Sequence, residues 1–130
     1  MLARLWHGRV PSVKADVYEA YLNRTGVPDY VATPGNRGAW VLRRTDGDAT
    51  HFLIVTLWES EAAIEAFAGV PIDRARYYPE DDDFLLEREP TSRTTSWPAA
   101  RHSQRDCQRR NNSPGTTSYA LAFHIMENHI

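Results

Sequence analysis

The chain has 130 residues, 42% hydrophobic and 25% charged, with a formal net charge of −2, which suits one domain with a real core and is too short for two ordinary ones. No apolar run approaches the roughly 20 residues that span a bilayer, and the start MLARLWHGRV lacks the basic-then-apolar layout of a signal peptide, so a cytoplasmic protein with no membrane partner is expected. Residues 1–91 carry 10 Lys and Arg against 15 Asp and Glu, a net −5, whereas residues 92–130 carry 5 against 2; a body that acidic offers no footprint for a phosphate backbone, and no nucleic acid is expected as a partner. Cys107, the single cysteine, leaves no disulfide framework and no CxxC motif.

LARLWHG alternates, with Leu2, Arg4 and Trp6 on one face and Ala3, Leu5 and His7 on the other, and reads as a first strand. Pro11 and Ser12 then open a helix, with Ser12 as the expected N-cap. Apolar spacing through Val13, Val17, Tyr18, Tyr21 and Leu22 carries it to about Arg24, and Gly26 stops it. GVPDYVATPGNRG, with its prolines and glycines, reads as a connector. AWVLRRT and ATHFLIVTLW flank Asp46-Gly47, a strong hairpin signal because glycine supplies the positive φ of a tight turn. Ser60 caps a second helix, EAAIEAFAG, in which Glu61 meets the positive end of the helix dipole and Ile64, Phe67 and Ala68 face inward. VPIDRARYYPEDDD follows as a short helical turn and an acidic loop, and FLLERE, Phe84 to Glu89, is the expected fourth strand.

The order β-α-β-β-α-β over residues 1–91 predicts a ferredoxin-like α+β sandwich, an antiparallel four-stranded sheet with both helices on one face. The open face is too apolar for a solvated one, so a second copy of the chain is expected to cover it, burying Trp6 or Trp40 in a homodimer. After Pro90 the composition turns to Ser, Thr, Arg and Gln. Residues 92–130 are therefore expected to form a tail, without fixed structure to about residue 117 and with a short helix or strand in SYALAFHIMENHI.

LARLWHGRV, the hairpin NRGAWVLRRTDGDATHFLIVTLWES, SEAAIEAFAG and ARYYPEDDDFLLE together resemble the antibiotic biosynthesis monooxygenase family of dimeric α+β barrels. The resemblance covers residues 1 to about 91. It implies a homodimer of face-to-face sheets with a cavity between sheet and helices in each subunit. It also implies oxidation of an aromatic polyketide-like small molecule by O₂ with no cofactor, or a non-catalytic small-molecule-binding or stress-associated dimer of the same fold. Trp58, in LWES before the second helix, matches the tryptophan that lines the cavity in active relatives. Heme-degrading relatives use a histidine on or just after the second helix, and IEAFAGVPIDRARYYPE contains none; Tyr77 or Tyr78 would have to ligate ferric iron instead. The family's fourth strand runs on through a V-E-x-Y-E-V segment. A one-base deletion near the Thr91 codon, leaving residues 92–130 out of frame, is one account of its loss here, and a genuine low-complexity extension is the other.

Cofactor-free oxidation asks the protein for an apolar pocket, a base, and donors for a developing anion. His7, flanked on its face by Ala3 and Leu5, is the candidate base, with Trp58 and Tyr77 beside it as candidate catalytic residues. Tyr21, Asn36, Arg37, Trp58 and Tyr78 are the candidate substrate contacts, and His51, just past the hairpin, is expected to be exposed. Glu80 to Asp83 form a run of four acids without the glycine-spaced pattern of a cation loop, so they read as a solvated loop and no metal is expected.

Overall fold

The computed structural model describes residues 1–97. Its strands are β1 (Leu2–Pro11), β2 (Asn36–Asp46), β3 (Ala49–Trp58) and β4 (Arg93–Ser96), and its helices are α1 (Ala15–Arg24), α2 (Gly26–Ala32) and α3 (Glu61–Ala68). The strands make one antiparallel sheet in the order β2-β3-β1-β4, the α+β ferredoxin-like arrangement. Asp46 pairs with Ala49, so Gly47 and Asp48 form a two-residue turn in which Gly47 has φ 57°, a conformation that would strain a side-chain-bearing residue.

Strand alternation sorts side chains onto two faces. Val41, Ile54 and Trp6 share a row, and Trp6, Val10, Phe52, Ile54 and Trp58 join Tyr18, Tyr21, Tyr30, Ile64 and Phe67 of the helices in one buried cluster. This is the helix side. On the second face, Trp40, Val55 and Leu5 share the next row, and Leu42, Leu53 and His7 the one after. Ala3, Leu5, Leu53 and Val55 are buried without belonging to the helix-side cluster, and Trp40 is 46% exposed.

The helix α3 forms as its sequence predicts: Ser60 Oγ accepts from the Ala63 N–H at 3.2 Å, Gly69 ends it at φ 80°, and Ile64 and Phe67 are buried. Other expectations are corrected. Ser12 caps nothing; its hydroxyl donates to the Gly47 carbonyl at 2.9 Å and lies 3.0 Å from Thr50 Oγ1, tying the entry of α1 to the hairpin. Val13 and Val17 are exposed, and Ala15, Tyr18, Tyr21 and Leu22 form the buried face of the helix. The supposed connector contains α2, because Pro28 falls in its first turn, where a missing N–H breaks no helical bond.

Phe84 to Glu89 is not a strand. Phe84 and Leu85 both pack against the helix-side cluster, which successive residues of a flat strand cannot do because they point to opposite faces. The segment's one backbone hydrogen bond to β1 among the described residues is the Leu86 N–H donating to the Arg9 carbonyl at 2.9 Å. The fourth strand is β4, paired with Leu2 to Leu5 inside the stretch read as a structureless tail. Trp6 lies on the helix side, 4% exposed, so of the two tryptophans only Trp40 faces the sheet's second side. The expectations for the tail beyond Trp97, including its reading frame and Cys107, lie outside the described residues.

Candidate functional site

The helix side is an aromatic cluster built around Trp58, the last residue of β3. Its ring lies 5.7 Å from Phe67 and 6.5 Å edge-on from Tyr30, which themselves pack at 4.4 Å. Trp58 is fully buried and its indole N–H donates to Thr56 Oγ1 at 2.8 Å. Its polar group is thereby satisfied inside the fold, as a buried indole requires.

Arg4 enters the same cluster from β1. It is 1% exposed, its guanidinium carbon lies 5.9 Å over the Phe67 ring, and its Nε and Nη2 donate to the carbonyls of Ile72 and Arg74 at 3.3 and 2.7 Å. No carboxylate lies within 4.0 Å of it among the described residues. Burial pulls its pKa below the usual arginine value, with Tyr30 and Asp73 opposing. The sequence assigned Arg4 no role at a site. Its one signal was the shared face with Trp6.

Tyr78 donates to Asp29 Oδ2 at 2.6 Å, and Arg76 lies over both Tyr78, at 5.3 Å, and Phe67, at 4.8 Å. Burial, and then the Asp29 bond, push the Tyr78 phenol well above the ordinary tyrosine value. Tyr77 donates to the Glu89 carbonyl at 2.5 Å and meets Trp6 edge-on at 6.1 Å; burial raises its pKa too. Tyr21 belongs to a second stack with Tyr18 and Phe84, at 5.9 and 5.4 Å. Within it lies one of the four acids expected in a solvated loop. Asp81 is 3% exposed, accepts the Tyr78 N–H at 2.6 Å and the Tyr18 hydroxyl at 3.2 Å, and has its pKa raised by burial.

Asn36 and Arg37 sit at a bulge in β2. Asn36 Oδ1 accepts the Gly38 N–H at 3.0 Å across from Trp58, and Arg37, an exposed side chain, pairs with Glu59. His7 does not reach the aromatic cluster, because it stands on the sheet's second face. There it contacts Glu89 Oε1 through Nδ1 at 2.5 Å and His51 Nδ1 through Nε2 at 2.9 Å. His51 is not exposed as expected but 9% accessible, and burial and then neighbouring cations lower its pKa.

Residues 11–72 match the family model described as antibiotic biosynthesis monooxygenase. A Nitrosomonas europaea protein of solved structure, named for the same family, superposes with a TM-score of 0.55 at 16% identity, covering 75% of this chain and 99% of its own. Over residues 11–72 the chain is thus similar to the antibiotic biosynthesis monooxygenase family. No curated protein matches it. No helix among the described residues is long and apolar enough to cross a membrane.

Proposed function

We propose that the helix-side cluster takes a planar aromatic small molecule with an acidic hydroxyl and oxygenates it with O₂, without a cofactor. The observation that carries this reading is Arg4, a buried cation with no carboxylate partner among the described residues. An aromatic anion stacked near Phe67 would supply the missing charge. The substrate, once deprotonated, is its own electron donor: a ring CH₂ loses both hydrogens, one oxygen atom enters as a carbonyl, and the other leaves as water. Trp58, Tyr30 and Phe67 would form the apolar wall, and Arg4 would hold the anion as charge develops. A second copy of the chain on the face that carries Trp40 would complete a homodimer, read as twice the monomer mass in light scattering.

Binding without chemistry is the second reading. It is favoured by the hydroxyls of Tyr77 and Tyr78, both already engaged by Glu89 and Asp29. Oxygen uptake by metal-free, flavin-free protein with an anthrone-type phenol separates the two readings. Uptake matched to quinone formation supports oxygenation, tryptophan quenching without uptake leaves the binding role, and neither signal removes the site.

A further inference from the structure

The helix-side cluster turns polar where it meets β4. Arg4 of β1 pairs directly with Thr56 of β3 and with Thr94 of β4, and residues directly opposite in an antiparallel pair share a face, so Arg4 stands between two threonines on the helix side. The two are used differently. Thr56 Oγ1 accepts the Trp58 indole N–H at 2.8 Å and donates to the Arg4 carbonyl at 3.2 Å. Thr94 Oγ1 is buried with no hydrogen-bond partner among the described residues.

Ser92 Oγ and Trp6 Nε1 share that condition. Trp6 follows Arg4 by two residues and Ser92 precedes Thr94 by two, a spacing that returns an extended chain to the same side. The buried polar atoms left without a partner among the described residues therefore gather around Arg4, and Ser92 and Trp6 are 2% and 4% exposed. The Trp6 N–H lies near enough to the Tyr77 oxygen to favour its anion, yet forms no bond to it.

The turn Ile72 to Arg74 closes this end of the cluster. Its Ile72 and Arg74 carbonyls accept from the Arg4 guanidinium, and its Asp73 carbonyl accepts the Ser92 N–H at 2.6 Å. The Asp73 side chain acts on Arg4 from an exposed position and makes no ion pair among the described residues.

Buried polar groups are almost always bonded, and leaving several unmet at one spot is costly. A guanidinium and an indole N–H can only donate, and both hydroxyls can donate, so what would satisfy them together is a group rich in acceptors. Four donor groups outnumber the lone pairs of one phenolate oxygen. Two oxygens side by side would serve them.

We propose that Thr94 and Ser92 are specificity-determining contacts of an anion site centred on Arg4, and that its ligand is an aromatic molecule whose acidic hydroxyl stands beside a carbonyl-type oxygen. One oxygen of the anion faces Arg4 and the other faces the β4 hydroxyls, with the Trp6 N–H beside them. The assignment rests on the anion-binding reading of the helix side and narrows its substrate class.

The test compares 2-nitro-1-naphthol with 4-nitro-1-naphthol, two coloured isomers that are both anions at mildly alkaline pH. In the first a nitro oxygen neighbours the phenolate oxygen, and in the second the nitro group lies across the ring. Titrated into the full chain, the 2-nitro anion should bind at least several-fold more tightly. Thr94→Val changes polarity and keeps shape, so it should shrink that preference several-fold while the 4-nitro anion binds as before, and Ser92→Ala should act in the same direction. Equal affinity of the unaltered protein for the two isomers overturns the two-oxygen site, whether or not the variants fold, and leaves the anion reading standing. A preference that survives both substitutions overturns the role of the β4 hydroxyls, which then serve water alone. Binding of neither isomer removes the anion reading together with this one.

Discussion

The two faces of the sheet come from the same alternating strands, yet they solve opposite problems. The helix side buries rings around a cation, with Trp58, Tyr30 and Phe67 near Arg4 and with Asp81 in the neighbouring tyrosine stack. The second face keeps its apolar row of Leu5, Val55 and Trp40 beside a line of titratable groups, Glu89, His7 and His51. One face is organised by packing, the other by protons. Substitutions should therefore register as stability on the helix side and as pH response or association on the second face.

The largest expected effect is at Trp58. Trp58→Phe removes a fully buried indole and leaves Thr56 Oγ1 without its donor, so urea unfolding should show a loss of about 2 kcal/mol or more. Trp40→Ser, on the exposed part of the second face, should change the monomer's stability by no more than about 0.5 kcal/mol while weakening any dimer seen by light scattering. Equal losses at the two tryptophans would erase the contrast between the faces.

A smaller effect, of opposite sign, is expected at β4. Thr94 Oγ1 and Ser92 Oγ are buried without a hydrogen-bond partner among the described residues. Thr94→Val keeps the shape and removes the unsatisfied hydroxyl, so stability should rise by about 1 kcal/mol. A loss instead would mean that the hydroxyl has a partner.

Asp81 should give the helix side a pH response of its own. Its folded pKa is raised, chiefly by burial, so its contribution to stability is full below the ordinary aspartate pKa and is lost as pH rises through the raised folded value. Denaturation midpoints taken through that acid window should include a component that Asp81→Asn abolishes. A component that survives the substitution must come from other groups, and Glu87, whose pKa is lowered by Arg9, acts with the opposite sign.

The hairpin and α3 were legible in the sequence because their signals are local. Gly47 sets a turn and Ser60 a cap, each within four residues. Alternation in β1 was legible as well, but not which set faces the helices, since both sets mix large apolar residues with one polar one. His7 and Arg4 were consequently assigned to each other's faces. The fourth strand was missed for a related reason: FLLERE has a strand's composition, yet Phe84 and Leu85 are both drawn into one core, and the strand position is taken by RTTS. Tyr21 was placed in the aromatic interior by the apolar spacing of the first helix, and Trp58 by the family resemblance. Asp81 was hidden in a run of acids whose other members stay exposed.

The most direct test of the account is whether Arg4 makes the helix side selective for an anion. Affinities of 1-naphthol-type acids and their methyl ethers, measured side by side above the pKa of the acid, should differ by at least about 10-fold in favour of the anion, roughly the 1.4 kcal/mol of one charge-assisted contact. In Arg4→Met that preference should disappear while the ether's affinity holds. Equal affinity of the unaltered protein for acid and ether would contradict a buried cation awaiting its partner, whatever the variant does.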